Sequence, residues 1–130
     1  MMRMQSDLVE LCLAAIEGKL DTAESKWDER ASIGIVLAAG GYPASYNKGD
    51  VISGLPTEAV EGEKVFHAGT AEKDGAITTN GGRVLCATAL GNTVSEAQAR
   101  AYELTKKISW DGMFHRNDIG YRAIAREQQK

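Results

Sequence analysis

The feature that most restricts how this chain can fold is its turn chemistry. Between Gly40 and Gly82 the breaks GGYPASYNKGD, GLP, GT and NGG recur so closely that only short extended segments fit between them. Glycine supplies unusual backbone angles, proline presets one, and asparagine and aspartate bond back to their own backbone, so such clusters are loop punctuation. Strands joined this tightly pair antiparallel, because a parallel return needs a crossover of a dozen residues or more. The spacing predicts strands at 51–53, 64–68, 76–79 and 83–90. A further strand is expected at 31–39, where ASIGIVLAA is apolar, partly β-branched and closed by Gly40 and Gly41. Residues 40–50 form the longest irregular piece.

Helical periodicity flanks this region. Leu8, Leu11, Cys12, Ala15 and Ile16 fall on one stripe of a helix predicted over 6–17, with Asp7 and Glu10 as a capping pair and Gly18 as its stop. Residues 19–30 read as a polar connector around Trp27. A second helix is predicted over 93–109, with Thr93 and Glu96 in capping-box register and Val94, Ala97, Ala101, Leu104 and Ile108 on its apolar face. Residues 118–126 add a short last helix. Two helices packed on a small, mostly antiparallel sheet make the fold class α+β, in one domain over residues 1–130.

With 130 residues, 43% of them hydrophobic, such a chain buries about two-thirds of its unfolded surface around one core. It is too short for a self-sufficient two-substrate ligase, kinase or dinucleotide enzyme. Fifteen basic against eighteen acidic residues give a net charge of -3 and a pI near 5.4, which argues against nucleic acid as a partner. No apolar run approaches the roughly 20 residues of a membrane span, and the first residues lack signal-peptide order, so a cytoplasmic location without membrane contact is expected. Met1, Met2 and Met4 stand just ahead of the first helix, which suggests part of a longer chain. Cys12 and Cys86 sit in apolar segments and are expected to be reduced core thiols.

The most informative motif is TTNGGRVL. Paired glycines let backbone N–H groups approach an oxyanion, and the adjacent guanidinium of Arg83 is a fork for phosphate or carboxylate. A plain hairpin accounts for the same residues, because Asn-Gly is the strongest short hairpin signal. The loop GGYPASY, with Gly40, Gly41 and Tyr42 leading and Tyr46 following, is a candidate cleft loop, although tyrosines packed as lids on the core explain it equally. His67 has no nucleophile or second histidine at working spacing and reads as a hydrogen-bonded strand residue, and His115 as a surface residue. Trp27-Asp28 and Trp110-Asp111 are packing anchors, since no blade-length period accompanies them. There is no phosphate loop with a Walker lysine, no zinc spacing and no complete catalytic constellation, so no catalytic or metal-ligating residue is assigned.

Taken together, MRMQSDLVELC, IGIVLAAGGYPASY, GDVISGLP, KVFHAGT, TNGGRVLCATALG, TVSEAQARAY and IGYRAI resemble, in order and over essentially the whole chain, the C-terminal part of the glycinamide ribonucleotide synthetase family of ATP-grasp ligases. The family often has proline where Glu29 stands and glycine where Ala44 stands, both in connectors. The resemblance implies ligation of glycine to 5-phosphoribosylamine with ATP cleavage, through a glycyl phosphate, in purine biosynthesis. It implies ATP and magnesium or manganese in the parent enzyme, held upstream, and none bound to this piece. It makes residues 1–18 the end of the ATP-grasp core and 31–130 a C-terminal, barrel-like sheet domain that closes the substrate side of the active site, inactive alone. Its partners are then the upstream domains, phosphoribosylamine and glycine. By the same resemblance Arg83, Gly82 and Gly81, with Asn80 and Thr79, meet the ribose 5-phosphate. The alternative is a stand-alone, non-enzymatic anion-binding or assembly module of the same fold.

Overall fold

The computed structural model describes residues 1–129. Its elements are, in order, α1 (Leu8–Ile16), a 3-10 turn (Leu20–Thr22), β1 (Ala31–Ala38), β2 (Glu63–His67), β3 (Thr70–Lys73), β4 (Ala76–Thr79), β5 (Arg83–Gly91), α2 (Val94–Lys106) and α3 (Tyr121–Glu127). The class is α+β, as expected. The strands do not close into a barrel: β1, β5 and β2 form one antiparallel sheet in that order, and β3 and β4 form a separate two-stranded one. The segment 51–53, expected as a strand, makes only isolated bridges, Val51 to Thr78 and Ser53 to Ser109.

The core lies between the three-stranded sheet and α2. Along β1 the alternate residues Ile35 and Leu37 are fully buried while Val36 is exposed, the two-residue period of a half-buried strand. Leu37 pairs with Leu85 and Ala38 with Arg83, so Val84 is the extra residue of a β-bulge. That irregularity sends both Val84 and Leu85 into the core beside Leu37, Ile52, Leu104 and Ile108. Helix α2 presents Ala97, Ala101 and Leu104 to the sheet. Thr93 Oγ1 accepts from the Glu96 N–H at 3.0 Å, and the Glu96 carboxylate accepts from the Asn92 N–H at 2.8 Å. Glu127 of α3 adds a carboxylate to the same helix start, accepting from Val94 at 2.9 Å.

Between β3 and β4, Asp74 (φ 52°) and Gly75 (φ 77°) are both left-handed, the demand of a type I′ hairpin turn. Strand β3 escaped the sequence reading because Ala71, Glu72 and Lys73 are poor strand formers.

The N-terminal arm departs from expectation. Asp7 caps α1 by accepting from the Val9 N–H at 2.7 Å, but α1 buries none of its residues. Leu8, Val9, Leu13 and Ile16 are exposed, and Cys12 is an exposed free thiol rather than a core one. The helix does not pack on the sheet because the arm is tied chiefly to itself: Gln5 N–H donates to Lys26 O and Asp28 N–H to Arg3 O. Trp27 is half exposed, whereas Trp110 is buried in the core.

Arg30 grips the Asp28 carboxylate with Nη2 at 2.7 Å and Nε at 3.0 Å. Hydrogen bonds from the Arg30 side chain, then from its backbone, lower the Asp28 pKa from 3.8 to about 2. Because the folded value lies below the ordinary one, this clasp contributes fully above pH 3.8 and is lost as pH falls toward 2. The expected outcome is loosening of the arm across that window, followed by the NMR shift of the Trp27 indole N–H. Asp28→Asn should abolish the transition.

Candidate functional site: a cavity at the crossover between sheets

Strand β4 pairs only with β3, and β5 pairs with β1 and β2. Asn80, Gly81 and Gly82 therefore cross from one sheet to the other and do not form a hairpin. The hairpin signal of Asn80-Gly81 is overridden by tertiary pairing. Neither Gly81 nor Gly82 has a positive φ; glycine is required for space. A Cβ on Gly82 would run into the Tyr42 ring, and one on Gly69 would lie 2.7 Å from Arg83 O and 2.8 Å from Gly81 Cα. The Asn80 N–H donates to Gly69 O at 2.7 Å, and the Ala39 N–H to Gly82 O at 2.8 Å.

The 40–50 loop is stitched to this crossover at both ends. At one end the Tyr42 N–H donates to Ala39 O at 3.1 Å, the Tyr42–Pro43 bond is cis, and the ring lies against Gly82. At the other, Gly49 N–H donates to Thr79 O at 2.7 Å and Thr79 N–H to Asp50 O at 2.9 Å. The Thr79 hydroxyl accepts from Asp50 N–H at 3.1 Å and donates to the Asp50 carboxylate at 3.4 Å. Thr79 is 1% exposed, so its hydroxyl holds the loop in place.

Between loop and crossover lies a cavity of about 500 Å³, walled by Tyr42 and Tyr46 on one side and by Asn80 to Arg83 on the other, with Val36 and Cys86 among its apolar lining. The tyrosine rings meet edge-on, centroids 6.1 Å apart at 61°. Arg83 and Asn80 are exposed, and no carboxylate of the described residues pairs with the Arg83 guanidinium. Of the residues singled out in the sequence, Asn80, Gly81, Gly82, Arg83 and Tyr42 come together here. Thr79, Gly40 and Gly41 stand behind the wall, Gly40 packed so closely on Gly112 that a Cβ would fall 2.9 Å from its carbonyl oxygen. The cavity presents one unpaired cation, two aromatic rings and glycine backbone: it can hold an anion attached to a ring.

A larger groove, about 640 Å³, runs between β2, the 54–60 loop and the end of α2, with Leu55, Val60, Val65 and Leu104 in its walls. Sequence reading missed it; only the GLP turn hinted at a bend there. His67 opens on it and is held by Thr70, Nδ1 to Oγ1 at 3.0 Å, as a strand histidine. His115 is half-buried beside Tyr102, ring centroids 5.8 Å apart, rather than a plain surface residue. Cys86 is a free, half-buried thiol with Sγ 3.5 Å from Thr88 Oγ1. Among the described residues no three of His, Cys, Asp and Glu converge as metal ligands, and no helix is long and apolar enough to cross a membrane.

Residues 32–122 match the family described as phosphoribosylglycinamide synthetase, C domain. The chain belongs to the phosphoribosylglycinamide synthetase C-domain family. Over all 130 residues it is 83% identical to a phosphoribosylamine–glycine ligase of Vibrio parahaemolyticus, of which it covers 30%. Over 129 residues, 98% of the chain, it is 67% identical to the Escherichia coli ligase, again covering 30%. The chain thus spans under a third of the length of these relatives. A crystal structure of phosphoribosylamine–glycine ligase from Thermotoga maritima superposes with a TM-score of 0.68 at 38% identity, over 84% of this chain and 27% of that one.

In this synthetase C domain the contact between Tyr42 and Gly82 is testable directly. Gly82→Ala places a methyl group where the Tyr42 ring lies, and overpacking of this kind costs about 1–3 kcal/mol. Thermal denaturation should show that loss. The double variant Gly82→Ala with Tyr42→Ala should lose less than the sum of the two single variants, as contacting residues do.

Proposed function

We propose that the chain is the C domain of a phosphoribosylamine–glycine ligase, and that it holds the 5-phosphate of phosphoribosylamine in the cavity at the sheet crossover. The observation that carries the reading is the exposed guanidinium fork of Arg83, without a carboxylate partner among the described residues and beside the half-buried backbone of Gly81. Such a fork offers a phosphate two parallel charge-assisted hydrogen bonds. Asn80 and Tyr42 add hydrogen-bonding groups at the rim, and Thr79, Gly40 and Gly41 keep the two walls in register. Clamping a phosphate that does not itself react orients the amine toward the glycine carboxyl carbon, so that binding energy is converted into positioning.

In the parent enzyme ATP, with magnesium or manganese, supplies the activation of glycine. Among the described residues no three of His, Cys, Asp and Glu come together as metal ligands; in this reading the metal and ATP belong to the upstream domains of the polypeptide. The apolar, unburied face of α1 and a family match that begins at residue 32 support assigning residues 1–18 to the ATP-grasp core and 31–130 to the domain that closes the substrate side, in a cytoplasmic enzyme of purine biosynthesis.

The test is a titration of the chain with ribose 5-phosphate, a stable stand-in for phosphoribosylamine, followed by NMR shift mapping. Shifts centred on residues 80–83 are expected. Their absence, together with an unchanged KM for phosphoribosylamine in the full-length ligase carrying the Arg83→Ala change, would overturn the reading.

A further inference from the structure

The lining of the crossover cavity is richer than a sugar phosphate uses. Beyond Arg83 and Asn80 it offers the apolar side chains of Val36 and Cys86 and two aromatic rings. Ribose hydroxyls gain nothing from such a wall, whereas a nucleobase stacks on it. Tyr42 is fixed by Gly82 at its back and by the edge of Tyr46, so the pair is preorganised. Tyr46 is 36% exposed and lines the cavity together with Tyr42. Asn80 is exposed, and its side chain carries both an amide donor and a carbonyl acceptor, the complement of a base edge. The site is open to solvent, and its volume of about 500 Å³ is that of a small-ligand site.

We propose that this cavity binds a nucleoside 5′-monophosphate, with the phosphate on Arg83, the base against Tyr46 and a base edge at Asn80. The phosphate limb rests on the sugar-phosphate reading above; the base limb is new. A nucleotide seated there excludes phosphoribosylamine, so its action on the parent ligase is competitive inhibition at the sugar-phosphate site.

The experiment is a set of calorimetric and NMR titrations of the chain with adenosine 5′-monophosphate, adenosine and ribose 5-phosphate, repeated on Tyr46→Ala, Tyr46→Trp and Arg83→Ala. The monophosphate is expected to bind more tightly than either of its parts and to shift residues 46 and 80–83. Tyr46→Ala should weaken the monophosphate about fivefold or more relative to ribose 5-phosphate, the lower end of what one stacked base contributes, and Tyr46→Trp should retain it. Arg83→Ala should weaken both phosphates. A monophosphate that binds no better than ribose 5-phosphate, or a Tyr46→Ala effect equal on both, overturns the base limb and leaves the sugar-phosphate reading standing. Adenosine binding as tightly as its monophosphate overturns the phosphate limb. If neither phosphate perturbs residues 80–83, the nucleotide proposal falls, and the Arg83→Ala KM in the full-length ligase decides the sugar-phosphate reading separately.

Discussion

Arg83→Ala is expected to lower the affinity for ribose 5-phosphate by about thirtyfold, corresponding to about 2 kcal/mol, within the range for hydrogen bonds to a charged group. The fold should be untouched, because the guanidinium is exposed and pairs with no carboxylate of the described residues. The β5 backbone around it is held by pairing with Ala38. Arg83→Lys separates charge from geometry: a lysine keeps the positive charge but not the planar fork, so it should recover only part of the loss. Calorimetric titration of the three proteins measures all of this. An Arg83→Ala affinity within a factor of two or so of wild type would remove the guanidinium from the site.

Leu85→Ala carries the largest expected loss of stability, about 2–5 kcal/mol, the range for a large aliphatic side chain deleted from a packed core. Leu85 is fully buried, pairs with Leu37 across β1 and with His67 across β2, and stands one residue from the bulge that also inserts Val84. Collapse into the vacancy is hindered on every side, by two paired strands and by Leu104 of α2. Chemical denaturation should show a lower midpoint at unchanged slope, the signature of stability lost without a change in the unfolded state. A change at the exposed end of the same strand, such as Arg83→Ala, should leave that midpoint nearly where it is.

What could be read from the sequence was what short-range chemistry decides. The apolar run at 31–39, the capping pair Thr93 and Glu96 and the stripe through Ala97, Ala101 and Leu104 each report a local period or a local hydrogen bond, and each reappears in place. Partition of the strands into two sheets could not be read, because the distinction between a hairpin and a crossover at Asn80-Gly81 depends on which distant strand each side joins. The usable turn signal was six residues earlier, at Asp74-Gly75. The α1 stripe shows which side of a helix wants a partner and not whether one is present, which is why Cys12 and Ile16 proved exposed. At the site, Arg83 and its glycines were legible from residue type. The apposition of Tyr42 to Gly82 was not, since some forty residues separate them and only the close approach itself explains why position 82 lacks a side chain.

The loop of residues 40–50 is long, glycine-rich and without regular structure, the kind of segment that ordinarily absorbs insertions and deletions. Bonded at both ends to the sheet crossover, it is instead a piece of fixed span, and any change in its length displaces one wall of the cavity relative to the other. Length variation in this domain therefore belongs at the Asp74-Gly75 tip, where a Cβ added to Gly75 would meet nothing within 4 Å, while the loop that looks most expendable has the least freedom to drift.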